Sequence, residues 1–97
     1  MQQSPWKQYD EAAEYFDKKD WIKARVSYFK AIDAFLAAGM PDNGDDIGEA
    51  RLNIAYTYYN ERNYKKSKEI LLEIQRKNPN YEPLLIKETL EKVNKLI

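Results

Sequence analysis

The sequence predicts an all-α fold, and three observations predict it. Apolar residues recur at i, i+3, i+4 spacing in five separate segments. Glycine is scarce, three in 97 residues, which favours helices over many turns. Ser4, Asp20, Asp46 and Asn63 stand where four of the segments begin, and such side chains cap free helix amides. A chain of 97 residues is expected to form one domain, residues 1–97. It buries only about 60–65% of its unfolded surface, so the core is modest.

The first segment opens at Ser4-Pro5, and proline suits the first helical position. It is expected to stop near Lys18-Lys19, with Tyr9, Ala12, Tyr15 and Phe16 on one face. Asp20 then caps a second helix, from Trp21 to about Ala38. Its apolar positions include Trp21, Ala24, Tyr28, Ala31, Ile32, Phe35 and Leu36. Residues 39–46 hold two of the three glycines and one proline, and read as a loop. Asp46 with Glu49 reads as an Asp version of a capping box for a third helix, about 47–60. Leu52, Ala55, Tyr56 and Tyr59 line its stripe. Asn63 opens a fourth helix, about 64–77, with Ser67, Ile70, Leu71 and Ile74 inward. It ends at Asn78-Pro79, because the residue before proline disfavours helix. The fifth helix covers about 82–97, with Ile86, Leu90, Val93 and Ile97 on one face.

Composition removes several function classes. There is no Cys and no His, so thiolate chemistry, the commonest general base and the commonest neutral metal ligand are all missing. The hydroxyls of Ser4, Ser27 and Ser67 have no His to activate them, and no glycine-rich phosphate loop exists. Asp42, Asn43, Asp45 and Asp46 do not fit a calcium loop: counted from Asp42, the third position is Gly44 and the twelfth is Asn53. No enzyme activity, cofactor or metal is expected. Sixteen basic and sixteen acidic residues cancel, so no nucleic-acid partner is expected. The N-terminal stretch lacks the pattern of a secretory signal, and no apolar run approaches a membrane span. The expected location is cytoplasmic.

The chain repeats itself at an offset of 43 residues. Ala12 maps to Ala55, Tyr15 to Tyr58, Phe16 to Tyr59, Asp20 to Asn63, Trp21 to Tyr64 and Ala24 to Ser67. A helical pair cannot hide both its apolar faces alone, and stacking a second pair buries one of them. Small residues at Ala12, Ala24, Ala31, Ala55 and Ser67 mark places where helices cross.

These positions resemble the tetratricopeptide repeat, a helix–turn–helix unit of 34 residues. Residues 48–80 follow the family pattern without a gap: Ala55, Tyr58, Tyr64, Ser67 and the terminal Pro79 stand at its marked positions. The first unit keeps Ala12, Tyr15, Trp21, Ala24, Tyr28 and Ala31 but lacks the terminal proline, and about nine extra residues precede the second unit. The resemblance implies antiparallel helix–turn–helix repeats stacked as a short right-handed superhelix. Repeat one is about 5–38, the loop 39–46, repeat two about 47–80, and a closing helix about 82–97.

In the family, the first helix of each unit lines a surface that grips peptides. Carried over by position, the resemblance implies a partner-binding groove with Trp6, Tyr9 and Phe16 from the first unit. Glu49, Leu52, Asn53, Tyr56, Tyr59 and Asn60 follow from the second, and Ile86, Lys87 and Leu90 from the closing helix. Tyrosine and tryptophan bring large contact area with few torsions to freeze, which suits recognition. The expected partner is a protein or peptide segment. The alternative is a homo-oligomer that buries the groove or an open end. The apolar ending Leu96-Ile97 keeps that alternative open, as does the small number of units. The carboxylate clamp of chaperone-binding members is absent: Asn53 matches and Lys87 could serve, but Tyr9, Ala13 and Pro83 replace its other residues.

Charge is unevenly spread. Residues 1–48 carry six basic and nine acidic groups, net −3, and residues 49–97 carry ten and seven, net +3. Pairs such as Lys65 with Glu69 and Glu73 with Lys77 are expected on the fourth helix. The sharper reading is head-to-tail stacking, acidic end on basic end, or electrostatic selection of an acidic partner.

If Ala24 lies at a helix crossing, Ala24→Leu should cost about 1–3 kcal/mol through overpacking. Thermal unfolding checks this, and an unchanged melting temperature would place Ala24 outside a crossing.

Overall fold

The computed structural model describes residues 4–97, so the first three residues of the expected domain lie outside it. The described residues form five α-helices and no strand. They are α1 (Pro5–Asp17), α2 (Trp21–Ala37), α3 (Asp45–Asn60), α4 (Tyr64–Lys77) and α5 (Pro83–Leu96). Each helix packs on the one before it and the one after it in the chain.

The two short turns are built alike, atom for atom, at the sequence offset of 43. Lys19 and Arg62 both take left-handed backbone, with φ of 61° and 64°. Asp20 N–H donates to the Tyr15 carbonyl and Asn63 N–H to the Tyr58 carbonyl, each at 2.9 Å. Lys19 and Arg62 N–H donate in the same way to Phe16 and Tyr59, at 2.9 Å. This is the Schellman closure of a helix, with a charged residue where glycine is usual. Asp20 and Asn63 then turn outward and cap the following helix, accepting from Lys23 and Lys66 N–H at 3.2 Å. One residue thus ends one helix and starts the next, which is why the helices fold back so tightly. Each turn is also closed by an edge-to-face aromatic pair, Phe16 on Trp21 and Tyr59 on Tyr64, with centroids 5.1 and 5.4 Å apart.

The start of α3 differs from expectation. Its N-cap is Gly44, no side chain caps it, and Asp45 and Asp46 lie inside the first turn. Asp46 is therefore not the cap of a capping box. Two carboxylates beside the positive helix end favour the earlier start. The Asp42 backbone and carboxylate are held elsewhere, by Arg51.

α3 is the shared wall of two core clusters. Ile47, Ala50 and Ile54 join Ala12, Ala24, Tyr28, Ala31 and Phe35 from the first pair. Leu52 and Ala55 join Leu71, Ile74, Ile86, Leu90 and Val93 from α4 and α5. The single stripe expected on α3 covers only the second of these. Small residues let the helices approach, and Ser67 does more: its hydroxyl donates to the Ala55 carbonyl across the α3–α4 crossing, at 2.9 Å. Leu36 and Ile97, expected inward, are exposed.

Arg51 sits on α3 among these apolar residues, 5% exposed. Its guanidinium donates to Asn78 Oδ1 at 2.7 Å and to the Asp42 carbonyl at 3.1 Å. It also pairs with the Asp42 carboxylate and, at 3.3 Å, with Glu73. Asn78 is fully buried at the end of α4, and its amide donates to the carbonyls of Asp42 and Gly44 at 2.8 and 3.0 Å. Arg25 makes a second cross-link, from α2 to Glu61 and Thr57, with its guanidinium 4.0 Å from the Tyr58 ring centre. Both cross-links join the acidic half of the chain to the basic half. On α4, Lys77 pairs with Glu73 as expected, whereas Glu69 pairs with Lys66 rather than Lys65.

Asn78→Ala removes the acceptor of Arg51 and the donor to two loop carbonyls. It should destabilise the fold by about 2–3 kcal/mol, because buried polar partners are left unsatisfied. Chemical denaturation measures it. Adding Arg51→Met should cost less in that background than in the parent, since the two residues share one network.

Candidate functional site

The α3 residues Glu49, Asn53, Tyr56 and Asn60 recur at four, three and four positions, which places them along one helix face. One flank of this face is α1. Asn53 Nδ2 donates to the Tyr9 hydroxyl at 3.2 Å, and the Tyr9 phenol also faces the Glu49 carboxylate. The other flank is α5, held close by an unusual contact. A Cβ on Gly48 would lie 2.9 Å from the Tyr81 ring, so only glycine lets that ring rest on α3.

Between α3 and α5 lies an open cleft of about 280 Å³. Tyr56, Tyr59 and Asn60 line it from α3, and Leu85, Thr89 and Lys92 from α5. Asn60 is steadied by its own amide, which donates to the Tyr56 carbonyl at 2.9 Å. Thr89 is steadied in the same way on the Leu85 carbonyl, at 2.7 Å. The cleft therefore offers two aromatic rings, an aliphatic side chain, an amide and one ammonium. A second hollow of about 240 Å³ sits at the α4–α5 corner between Ile74, Asn78, Tyr81 and Ile86, and no charged side chain lines it.

The expected groove residues divide into three groups. Tyr56, Tyr59 and Asn60 line the cleft, and Glu49, Asn53 and Tyr9 extend the same surface toward α1. Leu52, Ile86 and Leu90 do not belong to it: they are 5%, 1% and 8% exposed and pack in the second core cluster. Lys87 is exposed but does not line the cleft. Trp6 lies edge-on to Phe35 and Tyr9, 5.0 and 5.4 Å away, as a partly open cover on the first pair. Phe16 closes the α1–α2 turn instead of facing a groove.

On α5 the apolar stripe is core, and the cleft-lining residues Leu85, Thr89 and Lys92 stand one position before Ile86, Leu90 and Val93. A hydrophobic stripe marks the buried side of a helix, so the cleft-lining positions fall along its edge.

The Glu49 carboxylate shapes the titration of the surrounding phenols. Burial first, and then Glu49, hold Tyr9 well above the usual phenol range. The same two causes, in that order, push Tyr81 up to about 12. Tyr28 is pushed up to about 12 by burial, then by Asp17 and Glu49.

A raised phenol pKa means that the folded state keeps protons the unfolded chain releases at about pH 10. The stabilising effect is complete below about pH 10 and is lost as pH rises through about 12. Phenolate absorbance and helical circular dichroism, followed together, should show helix loss accompanying the last phenols to titrate. Glu49→Gln should bring that late titration to lower pH, and an unmoved titration would disconnect Glu49 from these rings.

Among the described residues, no group of three His, Cys, Asp or Glu could hold a metal ion, and no helix is long and apolar enough to cross a membrane. No family model, curated protein or solved structure matches the chain.

Proposed function

We propose that the chain is a protein-interaction module of the tetratricopeptide type: two helical pairs and a closing helix, taking a peptide segment in the cleft between α3 and α5. One observation carries this reading. The cleft joins two half-buried tyrosines to an aliphatic wall and three polar side chains. Rigid aromatic anchors beside adaptable hydrogen-bonding groups are the usual equipment of a protein-binding surface. Two tyrosine rings and Leu85 suit an apolar side chain of the bound segment. Asn60, Thr89 and Lys92 suit its backbone and an acidic neighbour.

The reading is non-enzymatic. The side chains that converge on the cleft contain no nucleophile paired with a base. The near-identical construction of the two turns supports the repeat reading, because the same caps and aromatic pair recur at one offset.

A random peptide library displayed against the immobilised protein should yield binders whose affinity depends on the cleft. Titration calorimetry with a selected peptide should show Tyr56→Ala weakening binding by about thirtyfold or more, as expected for a hot-spot aromatic. Lys92→Glu, at an exposed position, should weaken it without changing helical content. Peptides that bind both variants as well as the parent would move the site elsewhere, and failure to select any binder would remove the reading.

A further inference from the structure

Helix α2 is apolar on two faces. Ala24, Tyr28, Ala31 and Phe35 point into the core. On the outer side stand Ile22, Val26, Phe29 and Leu36, which are 61%, 48%, 43% and 41% exposed. A helix that is apolar all round normally has both sides covered. The outer residues, with Asp33, fall at 22, 26, 29, 33 and 36. That is the alternating four- and three-residue spacing of a seam built to meet another helix.

The seam is bordered by a hollow on the side toward α1. Tyr15, Ile22, Lys23, Val26, Ser27 and Lys30 line an open hollow of about 280 Å³ along its first half. Leu36 stands near the end of the seam, about 15 Å beyond Val26 along the helix.

We infer that the outer face of α2 is the twofold interface of a homodimer. Its two copies of α2 run antiparallel, and Leu36 of each packs on Val26 of the other. Setting Leu36 opposite Val26 fixes the register. Phe29 then meets Asp33 of the other copy, and Asp33 stands beside Lys30 of the other copy, twice by symmetry. The one acidic residue in the seam thus gains a cation. The contact is self-complementary, as a twofold interface requires.

A head-to-tail stack has no such match. The outer face of α5 presents Glu88, Glu91 and Lys95 to solvent, with only Leu84 as an apolar residue in line with them. Four half-open apolar side chains per copy suit a small, weakly associating interface, below about 1,200 Å², where stable ones begin. The dimer therefore forms with increasing concentration. The cleft lies on α3 and α5, so it stays open, and the dimer carries two of them.

Sedimentation equilibrium from micromolar to millimolar loading should show a monomer–dimer equilibrium. Phe29→Glu and Leu36→Glu should each weaken it by about tenfold or more. Lys30→Glu and Asp33→Lys should each weaken it, and the double variant should recover the parent's association. All four positions are exposed, so circular dichroism should stay unchanged. A monomer at millimolar concentration overturns the proposal. So does a dimer insensitive to Phe29→Glu and Leu36→Glu, or one lost on Lys92→Glu instead. A double variant as weak as its parents overturns the antiparallel register. Peptide binding in the cleft does not depend on any of these outcomes.

Discussion

The arrangement of the five helices depends on one buried guanidinium. Arg51 lies on α3, the helix that both core clusters share. From there it reaches Asp42, in the loop that leads into α3, and Asn78, where α4 ends. A single side chain thus fixes the entry to the α3–α4 pair and the exit from it. The geometry carries on to the cleft. Tyr81 N–H donates to the Asn78 carbonyl at 3.0 Å, and the Tyr81 ring rests on Gly48, one turn before Leu52. This sets the direction in which α5 leaves, and so the position of Leu85, Thr89 and Lys92 against α3. Burying a charge carries a desolvation penalty of several kcal/mol, and only full pairing offsets it. Here no fully buried side-chain polar atom among the described residues lacks a partner.

The two short turns use a different economy. Left-handed backbone costs a non-glycine residue about 1–2 kcal/mol, and both Lys19 and Arg62 bear that strain. Each turn offsets it with two closing backbone bonds, one side-chain cap and one aromatic pair. All of these are local, so each helical pair sets its own tight return. The long connection at residues 38–44 has no such cap into α3 and relies on Arg51 and Asn78 instead. Stiff local turns and the long-range clasps of Arg51 and Arg25 together hold a backbone only 16 Å deep along its shortest axis.

This division explains what the sequence made legible. The helices, the caps Ser4, Asp20 and Asn63, and the repeat offset are local or periodic signals, and each reappears in the structure. Arg51, Asn78 and Asp42 form a network across 9 and 27 positions, with no period to announce it. The available clue was an arginine flanked by Ala50 and Leu52, in step with apolar neighbours. The groove was half legible for a related reason. Tyr56, Tyr59 and Asn60 came through because α3 faces both core and cleft. On α5 the apolar periodicity selected Ile86 and Leu90, which serve the core. The outer face of α2 went unread because a helix was expected to need only one apolar stripe.

A thin molecule also accounts for the tyrosines. Each helix packs mainly on its neighbours in the chain, so many side chains are only half-buried. A side chain on α1 or α3 therefore packs with its body and meets solvent with its tip. Phenylalanine would bury well there but leave a greasy edge, whereas a short polar residue would leave a void. Tyrosine does both jobs. Tyr9 places its ring against Tyr28 and Phe35 and its hydroxyl at Asn53 and Glu49. Tyr59 packs its ring on Tyr64 and lines the cleft as well. Five of the eight tyrosines, Tyr9, Tyr15, Tyr56, Tyr58 and Tyr59, stand half-buried on α1 and α3, where the supporting core and the candidate binding surface are made by the same side chains.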